Sequence, residues 1–133
     1  MIEASNLARV REYLRAIENA AAGDALAAFY TPDATQLELP NRLNPQGGTS
    51  DLPTLLRRAA RVPDLLKWQR YELVSEMAQG ARVVIEAVWT AELAVAFGAV
   101  PAGSTMKAHF AMFFEMQDGR IRRQRNYDCF EPW

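Results

Sequence analysis

Proton-transfer chemistry needs a carboxyl or imidazole that can be shielded from water, and few residues of this chain offer one. The single histidine, His109, the single cysteine, Cys129, and the carboxyl with the best neighbours, Asp128, all fall in residues 105–133. That segment, TMKAHFAMFFEMQDGRIRRQRNYDCFEPW, reads as two strands joined at Asp118-Gly119, a pair tolerant of positive φ and a strong hairpin signal. Side chains alternate along a strand. Residues 120–130 therefore divide into Ile121, Arg123, Arg125, Tyr127 and Cys129 on one face, with Arg122, Gln124, Asn126, Asp128 and Phe130 on the other. Facing a cavity, the second set would present Gln124, Asn126 and Asp128 in a row. Facing water, the same three would be ordinary surface residues.

A carboxyl walled by Trp89, Met112 and Phe114 would lose hydration, and its pKa would rise toward the range where it can take up and return a proton at neutral pH. The competing role for Asp128 is a salt bridge to Arg123 or Arg125. Glu38 is either a second cavity carboxylate or a solvated strand-edge residue. Tyr13 either donates a hydrogen bond into a cavity or packs at a helix interface. Strand parity places His109 opposite Met112, Phe114 and Met116, away from the side expected to hold a site. Cys129 shares that outer side and is expected as a small buried hydrophobe. With one histidine and neither CxxC nor HExxH, the chain has no usual zinc pattern. Gly47-Gly48 lacks the spacing and lysine of a phosphate loop, and Ser104 near His109 lacks a nucleophile-elbow pattern. No metal and no cofactor are expected.

The elements around these residues can be read from periodicity. Leu7, Val10, Leu14, Ile17 and Ala21 mark an amphipathic helix over about residues 4–22, ended by Gly23. A short helix over 24–30 follows, closed by Thr31-Pro32-Asp33. Residues 34–39 read as a strand and 40–50 as a loop. Ser50 or Asp51 caps a third helix, with Leu52, Leu55, Leu56 and Ala59 inward and Val62-Pro63-Asp64 at its end. Strands are expected over 68–77 and 82–97, then the final hairpin. The result is a single α+β domain, residues 1–133, with helices on one face of a curled antiparallel sheet.

Composition narrows the function classes. Fifteen basic and sixteen acidic residues give a net charge of -1, which argues against nucleic acid or an anionic membrane as partner. The N-terminus lacks an apolar signal region and the longest apolar run, 93–100, is too short to span a bilayer. One cysteine asks for no oxidising compartment, so a cytoplasmic location is expected.

The chain resembles the SnoaL-like branch of the nuclear transport factor 2-like superfamily. The residues that carry the likeness are Ala22-Gly23-Asp24, then Phe29-Tyr30-Thr31-Pro32-Asp33-Ala34-Thr35, Pro101-Ala102-Gly103, Asp118-Gly119-Arg120-Ile121 and the closing Asn126-Tyr127-Asp128. The resemblance implies a cone: a strongly curved antiparallel sheet, approaching an α+β barrel, with three helices from the N-terminal half on its concave face around an apolar pocket. It also implies a homodimer through the outer sheet face, where Phe113, Tyr127 and Cys129 lie. SnoaL-type polyketide cyclases use an aspartate on the last strand as general acid/base, and Asp128 falls near that place. Ketosteroid isomerase uses another set: Glu38 lies near the position of its base, Tyr13 sits one turn early for its tyrosine, and Met112 replaces its second aspartate. The isomerase pattern is therefore incomplete. Function is expected to be the binding of a small apolar molecule, with Asn126, Gln124, Tyr13, Glu38, Trp89, Met112 and Phe114 around it. Asp128 would serve a cofactor-independent cyclisation, isomerisation, dehydration or hydrolysis. The alternative is a domain that binds a ligand, or only dimerises, without catalysis.

Overall fold

At the C-terminal turn, Asp118 and Gly119 both adopt positive φ, 51° and 76°, the backbone that reverses a chain in two residues while matching strand twist. In this computed structural model, which describes residues 1–133, the turn joins β5 (Thr105–Gln117) to β6 (Arg120–Phe130). Every second residue of β5, from Met106 through Ala108, Phe110, Met112 and Phe114 to Met116, is buried. The preceding strand β4 (Arg82–Leu93) does the same with Val83, Ile85, Ala87, Trp89, Ala91 and Leu93. These two inward rows form the floor of the core.

One residue of β6 breaks the expected alternation. Glu115 faces Arg123, but Met116 faces Ile121, so β6 carries an extra residue in a bulge at this point. Ile121, expected on the outer face, is thereby turned inward and buried, and Arg122 and Arg123 are both exposed. Beyond the bulge the alternation resumes with Gln124 inward.

The other strands are β1 (Tyr30–Glu38), β2 (Gly48–Asp51) and β3 (Leu66–Gln79). The six form one sheet in the order β2-β1-β6-β5-β4-β3. The sheet is antiparallel as expected at every neighbouring pair except one: β1 and β6 are parallel. No tight turn joins them, and all the chain from β2 to β5 serves as their crossover. The sheet is open, with β2 and β3 at its two margins. Helix α3 (Leu52–Leu65) nevertheless contacts β1 and β2 near one margin and β3 at the other. Only a curved sheet allows that.

Helix α1 (Ile2–Glu18) buries Val10, Tyr13 and Leu14. It ends four residues before the expected limit, because Ala20 takes the left-handed conformation (φ 57°). The amides of Ala20 and Ala21 donate to the carbonyls of Ile17 and Ala16 at 3.0 and 2.9 Å, closing the helix in a Schellman arrangement. Gly23 opens α2 (Gly23–Ala27) instead of ending α1. Pro32, expected to close that helix, lies within β1, in the irregular stretch between Tyr30 and Thr35 where no ladder donor is needed. The end of the expected loop over 40–50 is taken up by β2, which runs on to Asp51. Asp51 caps α3 by accepting from the Thr54 amide at 3.0 Å, and the helix runs past Pro63 to Leu65. No helix is long and apolar enough to cross a membrane.

Candidate functional site

Between the helices and the inner sheet face lies a cavity of about 230 Å³. Its position follows from the fold: α1 supplies Tyr13 and Ile17, α3 supplies Leu55, Arg58 and Ala59, and the sheet supplies Met112, Gln124 and Asn126. Across its floor runs a directed chain of hydrogen bonds. The Tyr30 hydroxyl donates to the Tyr13 hydroxyl at 2.8 Å, Tyr13 donates to Gln124 Oε1 at 3.1 Å, and Gln124 Nε2 donates to Asn126 Oδ1 at 2.9 Å. Tyr13, Tyr30 and Gln124 are buried. Burial holds both phenols above their ordinary pKa range, so they remain neutral donors. Because Asn126 accepts with its oxygen, its amide NH₂ is the donor at the end of the chain.

Glu38 enters the same cavity from the end of β1. It stands beside Asn126 in the parallel β1–β6 register and accepts from Asn41 Nδ2 at 2.6 Å. The turn that brings Asn41 there requires Gly47: its φ is 64°, and a Cβ would lie 2.5 Å from the Glu38 carbonyl oxygen.

Asp128 follows Asn126 on the same face of β6, one step toward Phe130, and is not part of the wall of this cavity. Its cross-strand partner is Phe110. The Oδ1 atom is buried and has no hydrogen-bond partner. Arg125, one expected partner, instead pairs with Glu115 at 3.3 Å and lies over the Phe113 ring. Burial, and secondarily the negative charge of Glu38, push the Asp128 carboxyl up to about 7. A group so placed is divided between its two protonation states near neutral pH, the condition for exchanging protons in both directions.

The structure brings Tyr13, Glu38, Met112, Gln124 and Asn126 together around the cavity. Phe114 is not at its wall: it is fully buried, edge-on to Tyr13 at 5.9 Å between centroids. Trp89 is also outside it. Its ring stacks on Phe110 at 5.6 Å and its Nε1 donates to Gln69 Oε1 at 3.0 Å. Around Asp128 the strand register places Phe110 opposite and Asn126 and Phe130 alongside, and Trp89 packs on both Phe110 and Phe130.

Several site residues carry no sequence signal. Gln69 and Tyr71 are single residues in a strand, β3, whose alternation is loose; only its register with β4 turns them inward. Gln69 is buried and donates from Nε2 to the Ile17 carbonyl at 3.3 Å. Tyr71 is held by its backbone amide, which donates to Glu18 Oε2 at 2.7 Å. Its phenol is raised above the ordinary range, mainly by burial and further by Tyr13, Asp128 and Glu18.

On the outer face, His109 Nε2 lies 2.9 Å from Glu131 Oε2, and Phe113 meets Tyr127 edge-on at 5.5 Å. Cys129, expected to be buried, is exposed there.

Comparison with known proteins agrees with this architecture. A family model described as a SnoaL-like domain matches residues 10–124. Among solved structures, AclR, a proposed hydroxylase from Streptomyces galilaeus, is 17% identical with a TM-score of 0.79, over 98% of this chain and 82% of that one. A proposed polyketide cyclase from Xanthomonas campestris pv. campestris is 23% identical with a TM-score of 0.75, over 96% and 92%. A SnoaL-like polyketide cyclase from Agrobacterium tumefaciens is 15% identical with a TM-score of 0.68, over 92% and 90%. Likenesses at these identities establish the fold. Among curated proteins none matches the sequence. On the family match, the chain belongs to the SnoaL-like domain family.

Proposed function

We propose that this SnoaL-like domain binds a small, largely apolar molecule bearing at least one oxygen and transforms it by proton transfer at Asp128, without a cofactor. The observation that carries the reading is the state of Asp128: an inward carboxyl with a buried, unpartnered oxygen, next along its strand to a neutral hydrogen-bonded chain that ends in the Asn126 NH₂ donor. The free amide hydrogens of Gln124 and Asn126 would hold a carbonyl or hydroxyl of the substrate, with Tyr13 fixing Gln124 and Tyr30 fixing Tyr13. Asn126 NH₂ would stabilise negative charge developing on that oxygen. Asp128 would remove a proton beside it or deliver one to a departing or ring-closing atom. Cyclisation, isomerisation, dehydration and hydrolysis all need this step. Glu38 would keep the Asp128 proton affinity high. The polyketide cyclases among the structural neighbours support cyclisation as the first reaction to test. The outer face bearing Phe113, Tyr127 and Cys129 would pair two copies, since a monomer leaves it uncovered.

The second reading is binding without chemistry. It is favoured by one fact, that Asp128 adjoins the polar cavity without lining it. The experiment that separates the two begins with a thermal-shift screen of phenols, quinones and cyclic ketones, because only a ligand with a site raises the melting temperature. Hits are then incubated with the protein and followed by mass spectrometry. For Asp128→Asn, the catalytic reading requires retained binding and a loss of turnover of about 100-fold or more. Equal binding with no turnover by either protein, across all hits, supports the binding module.

A further inference from the structure

A second cavity, of about 340 Å³, lies beyond the first and is lined by ten residues, all of them hydrophobic. Val62 of α3 belongs to both walls. The remaining divide is an aromatic stack. Tyr71, of the polar cavity, meets Phe110 edge-on at 6.0 Å; Phe110 stacks on Trp89, of the apolar cavity, at 5.6 Å and 12°. Asp128 is the cross-strand partner of Phe110. Along β6 it falls between Asn126, in the polar wall, and Phe130, whose ring meets Trp89 at 5.9 Å. Along β6 the carboxyl therefore falls between a residue of the polar wall and one packed on the apolar wall.

The apolar space is open to solvent. Four of the ten exposed large hydrophobic side chains of the protein line it: Leu43, Leu65, Val95 and Phe97, at 37, 44, 46 and 43% exposure. Such a concentration marks a surface meant to be covered. The two loops that frame it are tied to the chain end, since Arg42 lies over the Trp133 ring at 4.1 Å and Phe97 meets that ring edge-on at 6.2 Å. The wall shared through Val62, with Asp128 between the two spaces along β6, points to one molecule occupying both.

We propose that the apolar space is the second arm of the site, and that the substrate is a two-part molecule. Its oxygenated ring would sit against Tyr13, Gln124 and Asn126; its unfunctionalised aryl or alkyl portion would lie among Leu65, Val95, Phe97 and Trp89. The bond changed by Asp128 lies at the junction of the two parts. This rests on the polar cavity being the ligand site, and the test separates the two ideas.

The probe is a series of 4-alkylphenols, from phenol to 4-hexylphenol, titrated calorimetrically into the full chain. Affinity should rise about fourfold per added methylene, the increment for burying a CH₂. Leu65→Gln combined with Val95→Gln, both at exposed positions, should cut that increment below about twofold. Tyr13→Phe should weaken every member by a similar factor and leave the increment intact. In the unaltered protein, the terminal methyl of 4-hexylphenol should show nuclear Overhauser contacts to Leu65 and Val95 methyls. Phenol binding with no chain-length dependence, or with a dependence the paired variant does not change, overturns the second arm and leaves the polar site standing. Chain-dependent binding indifferent to Tyr13→Phe overturns both, as does failure of every member to bind. A change of molecular mass in the paired variant would mean that a second copy covers this surface, and would also overturn the proposal.

Discussion

Asp128 faces Phe110 across the β5–β6 ladder, so its carboxyl meets an aromatic ring where a cation would be needed to keep it ionised. The nearest arginine in sequence, Arg125, is turned to the other face and to Glu115. Burial of this carboxyl, with the charge of Glu38 as the lesser cause, raises the proton affinity on which the proposed chemistry depends and carries a cost in stability.

That cost has a definite pH dependence. The Asp128 carboxyl moves from 3.8 to about 7 on folding. Between those values the unfolded chain has released its proton while the folded protein keeps it, so stability falls as pH rises from about 4 to 7 and is flat beyond. Asn cannot ionise. Asp128→Asn should therefore leave stability near pH 4 unchanged and raise it by roughly 1–3 kcal/mol at pH 8. Urea melts at the two pH values measure the difference.

Glu38 stands beside Asn126 in the neighbouring strand and adds negative charge to the surroundings of Asp128. Glu38→Gln should lower the Asp128 titration midpoint without abolishing its elevation, because burial is the larger cause. If the variant catalyses the reaction at all, the acidic limb of its pH–rate profile should move in the same direction.

Tyr13 is the middle of the chain from Tyr30 to Asn126. Tyr13→Phe leaves Gln124 Oε1 without its donor and Tyr30 without its acceptor, both buried. The expected loss is about 1–3 kcal/mol in unfolding free energy. Ligand affinity should fall too, since Gln124 and Asn126 would no longer be held in one orientation.

Ala20 ends α1 with φ at 57°, a conformation that costs a residue with a Cβ roughly 1–2 kcal/mol. Glycine avoids the clash but adds freedom to the unfolded chain. Ala20→Gly should stabilise the protein by about 0.5–1 kcal/mol, seen as a higher urea midpoint at unchanged slope.

Much of this arrangement could be read from alternation and turn chemistry. Asp118-Gly119 placed the hairpin, and parity put Gln124, Asn126 and Asp128 on one face because all three lie after the bulge. Ile121 lies before it and faces the side opposite to the one simple alternation predicts; a bulge is a property of two paired strands and leaves no mark in one. Strand β2 was invisible because Gly48-Thr49-Ser50-Asp51 has loop composition and is ordered only by pairing with β1. Ala20 carries no helix-end signal of its own, and glycine at 23 is the stronger one in the sequence. Gln69 and Tyr71 join the site through the β3–β4 register, and Tyr30 through its contact with Tyr13. Such relations are tertiary, and periodicity along one strand does not encode them. The division of the aromatics was also hidden: Trp89 and Phe114 are both inward, yet only the stack on Phe110 and the edge contact with Tyr13 show that neither faces the polar cavity.

The most direct test of the central claim is the titration of Asp128 itself, followed by its side-chain carboxyl carbon resonance in ¹³C-labelled protein, with Asp128→Asn to assign the signal. A midpoint near 7, shifted downward in Glu38→Gln, is the predicted result. A midpoint near the ordinary aspartate value of about 3.9 would contradict it: the carboxyl would then be solvated or paired, and Asp128 would be unable to act as the proton carrier of this site.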